Sequence, residues 1–262
     1  MSPTFDSDSH DAWPHFPLLR SWNSDNPLPA RVFHGPARHR VVGTESAPWL
    51  ATGRADEPFD FCGHMQRLCA DVVSRCRALH HIDVDRLQFG VTPARHRRRH
   101  GLQARVTPLR LRDGRMTRRR RGIMYQIQRY YIDGLEILYL VTFCLPRFLD
   151  LSFDEKFVTL FHELFHISPS FNGDLRRHEG RYSVHSHSQK QYDQQMSALA
   201  REYLAAKPDP ELHAFLRLNF DQLIERHGSV VGIGVPRPKL IPLPPGHIEL
   251  VLQESNRPAA RK

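Results

Sequence analysis

Two histidines four residues apart, with a glutamate beside the first, carry the clearest chemistry in this chain: Phe161-His162-Glu163-Leu164-Phe165-His166-Ile167. On a helix of about 3.6 residues per turn, His162 and His166 share one face and both imidazoles can reach a single metal ion, while Glu163 projects beside them. This is the H-E-x-x-H arrangement of a zinc hydrolase, two ligands and a general base. Three protein ligands plus water is the usual catalytic set, so a third donor is needed. Downstream, His178, His185 and His187 are the candidates, with Asp174 ranked behind them as an oxygen donor.

Five residues alone are weak support, because a chain this rich in histidine contains such a pattern by chance roughly once in twenty times. The element that carries them adds weight. Ser152-Phe153-Asp154-Glu155 reads as a capping box, and Phe153, Phe157, Leu160, Phe161, Leu164 and Phe165 give the helix after it a wide apolar surface. No Gly or Pro interrupts it before Pro169. A core helix that happens to carry two histidines is the competing account.

Ahead of that helix, residues from about Asp60 to His81 form a first helix, in which Cys62, Cys69 and Cys76 recur every seven residues along one apolar stripe. With no C-x-x-C pair among the four cysteines, they read as buried apolar side chains in a reducing compartment. Leu87 to Val91 and Leu102 to Leu111 alternate like strands. Tyr125 to Phe143 reads as a hairpin about Asp133-Gly134, pairing Ile132 with Leu135 and Tyr130 with Ile137. The nearly all-apolar run Ile137 to Leu145 predicts a central or doubly covered strand. After the metal helix, Ile167 to Asp174 is a turn-rich loop. A helix then carries Tyr192, Met196, Leu199, Ala200, Tyr203 and Leu204 on one stripe. Another starts at Pro210, capped by Asp209 and ending at Gly228.

The 262 residues, 40% of them hydrophobic, suffice for one substantial core. Residues 1–58 read as a mostly disordered or loosely attached leader whose tryptophans could anchor parts of it onto the domain or onto a partner, 59–228 as the domain, and 229–262 as a Pro-rich, basic extension in which Ile248 to Leu252 could add an edge strand. The absence of a membrane-length apolar run and of a signal-peptide pattern predicts a soluble, cytoplasmic protein with no membrane partner. The net charge of +9 comes almost wholly from arginine, concentrated at 95–100 and 118–121. Such clusters belong on solvated loops. They could alternatively contact a nucleic-acid backbone, although neither cluster has interleaved aromatics for base stacking.

From about Asp60 to Leu204, the chain resembles the zinc metallopeptidases described from bacteria and phages, and more distantly the SprT-like zinc peptidases. The likeness rests on Phe161 to Arg177 and on His185-Ser-His-Ser-x-x-x-Tyr-Asp193. It implies an α+β, minimal zincin-like domain: a helix, an antiparallel sheet, the H-E-x-x-H helix and further C-terminal helices. It also implies a third ligand of the His-plus-small-residue type before a helix. His185 is chosen because Ser186 or Ser188 then remains to cap that helix; His187 and His178 are the alternates. The expected function is zinc (Zn2+)-dependent hydrolysis of a peptide or protein substrate, with Glu163 taking the water proton and Tyr182, by position, stabilising the oxyanion while Tyr192 packs. The competing function is an arginine-rich nucleic-acid-binding protein with structural zinc, and the SprT-like resemblance also implies a peptidase acting on DNA-bound proteins.

Overall fold

The computed structural model describes residues 18–23, 32–33, 57–97, 101–132, 134–177 and 189–243. In chain order the strands are β1 (Leu18–Asn23), β2 (Val32–Phe33), β3 (Phe59–Asp60), β4 (Leu87–Pro93), β5 (Ala104–Pro108), β6 (Thr117–Arg120), β7 (Ile123–Ile127), β8 (Tyr130–Ile132), β9 (Leu135–Ile137), β10 (Tyr139–Leu145), β11 (Ser229–Gly234) and β12 (Leu240–Pro242). The helices are α1 (Phe61–Arg75), α2 (Phe153–Phe165), α3 (Gln189–Ala205), α4 (Pro210–His213) and α5 (Phe220–His227). The class is α+β, as the element pattern predicts. Among the described residues no helix is long and apolar enough to cross a membrane.

The sheet against which α2 packs has the order β4-β10-β5. Every residue of β10 is buried, as its apolar run requires. Tyr139, Val141, Phe143 and Leu145 face the main core, while Leu140 joins a second cluster with Leu109, Tyr130 and Ile137. The expected antiparallel sheet is instead mixed: β10 pairs antiparallel with β5 but parallel with β4. Apolar alternation cannot distinguish these pairings, because both bury every second side chain. The direction of β10 is set by the long excursion through β5 to β9, which returns the chain alongside β4.

That excursion divides the predicted hairpin. The turn at Gly134 brings Tyr130 opposite Ile137 and Ile132 opposite Leu135, the register expected; Asp133 lies outside the described residues. The flanking strands leave this pair. Leu138 separates β9 from β10, its N–H donating to Arg86 and its carbonyl accepting from Leu109, and β7 joins β6 and β12 in a separate sheet. Arg118 to Arg120 therefore lie on strand β6, exposed, and not on a loop. Arg121 and Gly122, both with positive φ, make the tight turn to β7, as a type I′ hairpin requires.

A fourth sheet, ordered β2-β1-β11-β3, joins residues on both sides of the 59–228 span. Strand β1 pairs antiparallel with β11 from Leu18↔Gly234 to Asn23↔Ser229, and Trp22 is fully buried in the main core. The residues 244–262, including the possible strand at Ile248 to Leu252, lie outside the described residues.

Helix α2 begins as its sequence dictates: the Glu155 N–H donates to the Ser152 hydroxyl, and the Glu155 carboxylate accepts from the Ser152 N–H. A cap contributes about 1 kcal/mol. Phe157, Leu160, Phe161 and Leu164 are solvent-free, and at about 1.5–3 kcal/mol each their burial is the larger anchor. The same helix buries Lys156, whose ammonium donates to the carbonyls of Leu216 (2.9 Å) and Leu218 (2.7 Å). This explains a departure from the sequence reading, which drew one helix from Pro210 to Gly228. Asp209 caps α4 and Gly228, at φ 71°, ends α5, but a 3-10 turn at Ala214–Arg217 and a new capping box at Asn219 and Gln222 break the element between them. Lys156 takes two of the carbonyls exposed at that break. Replacing Lys156 with Met keeps most of the stem's packing and removes both hydrogen bonds, so the denaturation midpoint should report a loss of about 1–3 kcal/mol; unchanged stability would show that the carbonyls find other partners.

Candidate metal centre

The apolar face of α2 fixes the direction of its polar stripe, and that stripe carries the histidines. His162 and His166 bring their Nε2 atoms to 2.9 Å of each other, with the rings nearly perpendicular. An ion bound tetrahedrally to two imidazoles at about 2.0–2.1 Å separates their nitrogens by about 3.3 Å, so only a small spreading of the rings is needed. The donor chemistry, two convergent imidazoles, suits zinc.

The ring of Tyr192 forms a wall of this site, 4.8 Å from the His162 ring and stacked on His166 at 5.8 Å between centroids. Its placement follows from the way α3 crosses α2: Tyr192, Met196, Ala200 and Tyr203 are buried along the predicted stripe. The Tyr203 hydroxyl donates to Asp71 of α1 at 2.7 Å, holding that crossing in place. Tyr192, assigned only to packing from sequence, thus touches both histidines. Burial pushes its phenol above the ordinary range.

Glu163 sits under the sheet. Its carboxylate accepts the N–H of Val106 on β5 at 2.7 Å, in buried surroundings. Strand β5 lies at the edge of the β4-β10-β5 sheet, and Val106 points its N–H away from β10, toward α2. Burial raises the Glu163 carboxyl to about 7, a shift opposed by the Val106 N–H and by the charge of Arg105. A carboxyl with that value can take a proton and give it up near neutral pH. No pattern in the sequence marks Val106, because its contribution is a backbone group.

The loop after α2 is firmly built. Ile167 pairs with Leu175, the Arg176 N–H donates to the His166 carbonyl, and the Tyr139 hydroxyl donates to the Asp174 carbonyl while accepting from Gly173. The Asp174 carboxylate is occupied by the N–H groups of Asp113 and Leu175 and by the Arg177 guanidinium, which hold it below the usual carboxylate range. Asp174 is thereby committed to holding the loop. His178, His185, His187 and Tyr182 lie outside the described residues. Among the described residues no group of three or more His, Cys, Asp or Glu side chains is placed to hold a metal; the motif contributes its pair.

Comparison with known protein families, characterised proteins and solved structures finds no match.

The raised Glu163 carboxyl makes a stability prediction for chelator-treated protein. Its folded value lies above the unfolded one, so the stability it contributes is complete below about pH 4.5 and is lost as pH rises through about 7. Glu163→Gln carries no such charge. Its melting temperature should exceed the wild-type value at pH 8, by an amount on the order of 1–3 kcal/mol in stability, and converge with it near pH 5. A difference independent of pH would remove the buried charge as its cause.

Proposed function

We propose that this chain is a zinc-dependent peptidase in which His162, His166 and one histidine of the 178–187 segment, His185 by preference, hold the ion. The observation that carries this reading is the convergence of the His162 and His166 Nε2 atoms beside a buried Glu163. The ion, when bound, supplies Lewis acidity to a carbonyl and brings hydroxide within reach at physiological pH. Glu163 takes the proton from the attacking water and returns it to the leaving amine. Tyr192, packed on both imidazoles, keeps the ligand rings in register and closes that side of the site to water.

The substrate this geometry suits is an extended, locally unfolded peptide. The outer edge of β5 offers the N–H and carbonyl groups of Ala104 and Val106 for an added strand. A peptide that takes the Val106 N–H also releases the Glu163 carboxylate from it, so occupation of the edge and readiness of the base are coupled.

Glu163→Gln should retain stoichiometric zinc and lose hydrolysis of an unfolded protein substrate by about 10²–10⁴-fold. His162→Ala and His166→Ala should lose the metal, as should one of the alanine variants at His178, His185 and His187. Metal analysis together with turnover checks all of these, and a wild-type protein without stoichiometric metal would end the reading.

A second reading attaches to the β6–β7 hairpin and the turn ahead of it, where Arg112, Arg115 and Arg118 to Arg121 are exposed. Nucleic acid bound there would dissociate steeply with salt and would lose affinity when Arg118 to Arg121 are neutralised. Arg97 belongs elsewhere: its guanidinium forks between Asp150 and Asp221, tying the approach to α2 to helix α5.

A further inference from the structure

The face of the β4-β10-β5 sheet turned away from α2 carries a different chemistry from the core face. At its centre Thr142 of β10 lies in register between Gly90 of β4 and Arg105 of β5, with Thr92 and Thr107 on the same face of the flanking strands. The chain leaving β11 passes over this row. It comes close because position 90 is glycine: a Cβ there would stand 3.1 Å from the Ile233 carbonyl oxygen and from the Val235 side chain. Between sheet and crossing chain is a cavity of about 130 Å³ lined by Thr92, Thr107, Thr142, Arg105 and Arg237, with the apolar Leu140 among its walls.

Two guanidiniums thus face one small space. The Arg105 Nε is buried and has no hydrogen-bond partner among the described residues. Burial, and after it the charge of Arg237, lower the Arg105 pKa. The acid that acts on it, Glu163, is bound on the α2 side to Val106. Burying an arginine donor without a partner is costly, and a second arginine beside it adds repulsion, so the arrangement is relieved by an anion. Hydroxyls on three strands and guanidiniums on opposite walls surround a ligand from more directions than the two oxygens of a planar carboxylate use, whereas tetrahedral phosphate accepts from all of them. The volume admits a phosphate group and falls below the roughly 300 Å³ at which pockets for larger organic ligands begin.

We propose that this cavity is a phosphate-binding site, with Arg105 and Arg237 as its cationic walls and Thr142 at its floor. The proposal does not rest on the metal reading, although the Arg105 charge also acts on Glu163 across the sheet. Its ligand is either free phosphate or the phosphoryl end of a larger molecule entering past the exposed Arg237.

Calorimetric titration of the full chain with inorganic phosphate and, separately, with phenyl phosphate, against chloride at matched ionic strength, tests it. Saturable binding of inorganic phosphate alone marks a free-ion site, and binding of phenyl phosphate marks one that takes an attached phosphoryl group; either supports the proposal. Arg237→Gln, at an exposed position, should weaken binding roughly 10- to 100-fold, and Thr142→Val, which preserves shape, should weaken it in the same direction. Arg120→Gln on the distant hairpin should leave it unchanged. Heats no different from those of chloride, or binding that survives Arg237→Gln undiminished, would overturn the assignment.

Discussion

Glu163 is a carboxyl group placed where carboxyl groups are expensive, on a helix whose neighbouring positions are Phe161, Leu164 and Phe165 and under the edge of a sheet. Its position is tolerable because one backbone N–H, that of Val106, is turned out of the sheet toward it. This requirement runs back through the fold. Val106 can offer its N–H only if β5 stays at the sheet edge, and β5 keeps its register only because β10 is buried along its whole length. Helix α2 in turn must approach at a height fixed by its capping box, its buried phenylalanines and the Lys156 contacts to Leu216 and Leu218. The two histidines inherit their convergence from that same placement.

What the sequence made legible was local. Ser152 and Glu155 announce the start of α2, Asp209 and Pro210 the start of α4, and Gly228 the end of α5, because each cap is completed within a few residues. The register about Gly134 was equally readable, since a two-residue turn fixes it. His162, Glu163 and His166 were found through fixed spacing on one helix. The remainder depends on contacts between distant segments. The parallel pairing of β4 with β10, the break at Leu218 and the meeting of β1 with β11 are chosen by tertiary partners that no local pattern names. At the site, the Val106 contribution is invisible because any residue except proline carries an N–H, and the role of Tyr192 depends on the angle at which two helices cross.

The arginine excess divides in a similar way. Part of it is structural: Arg97 bridges Asp150 and Asp221, Arg110 and Arg129 share Glu136, and Arg147 donates to the carbonyls of His96 and Leu102. These side chains act as clamps between loops and lie where their charge is largely spent. Arg118 to Arg121 differ in being presented on an exposed β-hairpin, so the raw net charge overstates what a polyanionic partner would encounter over most of the surface.

The pairing of β1 with β11 also governs the order in which the molecule can be assembled. Strand β1 precedes β11 in sequence order, and Leu18 meets Gly234 across nearly the whole described chain. Until β11 arrives, the side of α1 that carries Cys62 and the cluster around Phe59 and Trp22 lacks its cover. Helix α2 and the central strand β10 are made well before that event. Closure of the β1–β11 pair therefore carries the loop-closure cost that such a long separation imposes, which the more local contacts of α2 and β10 do not share.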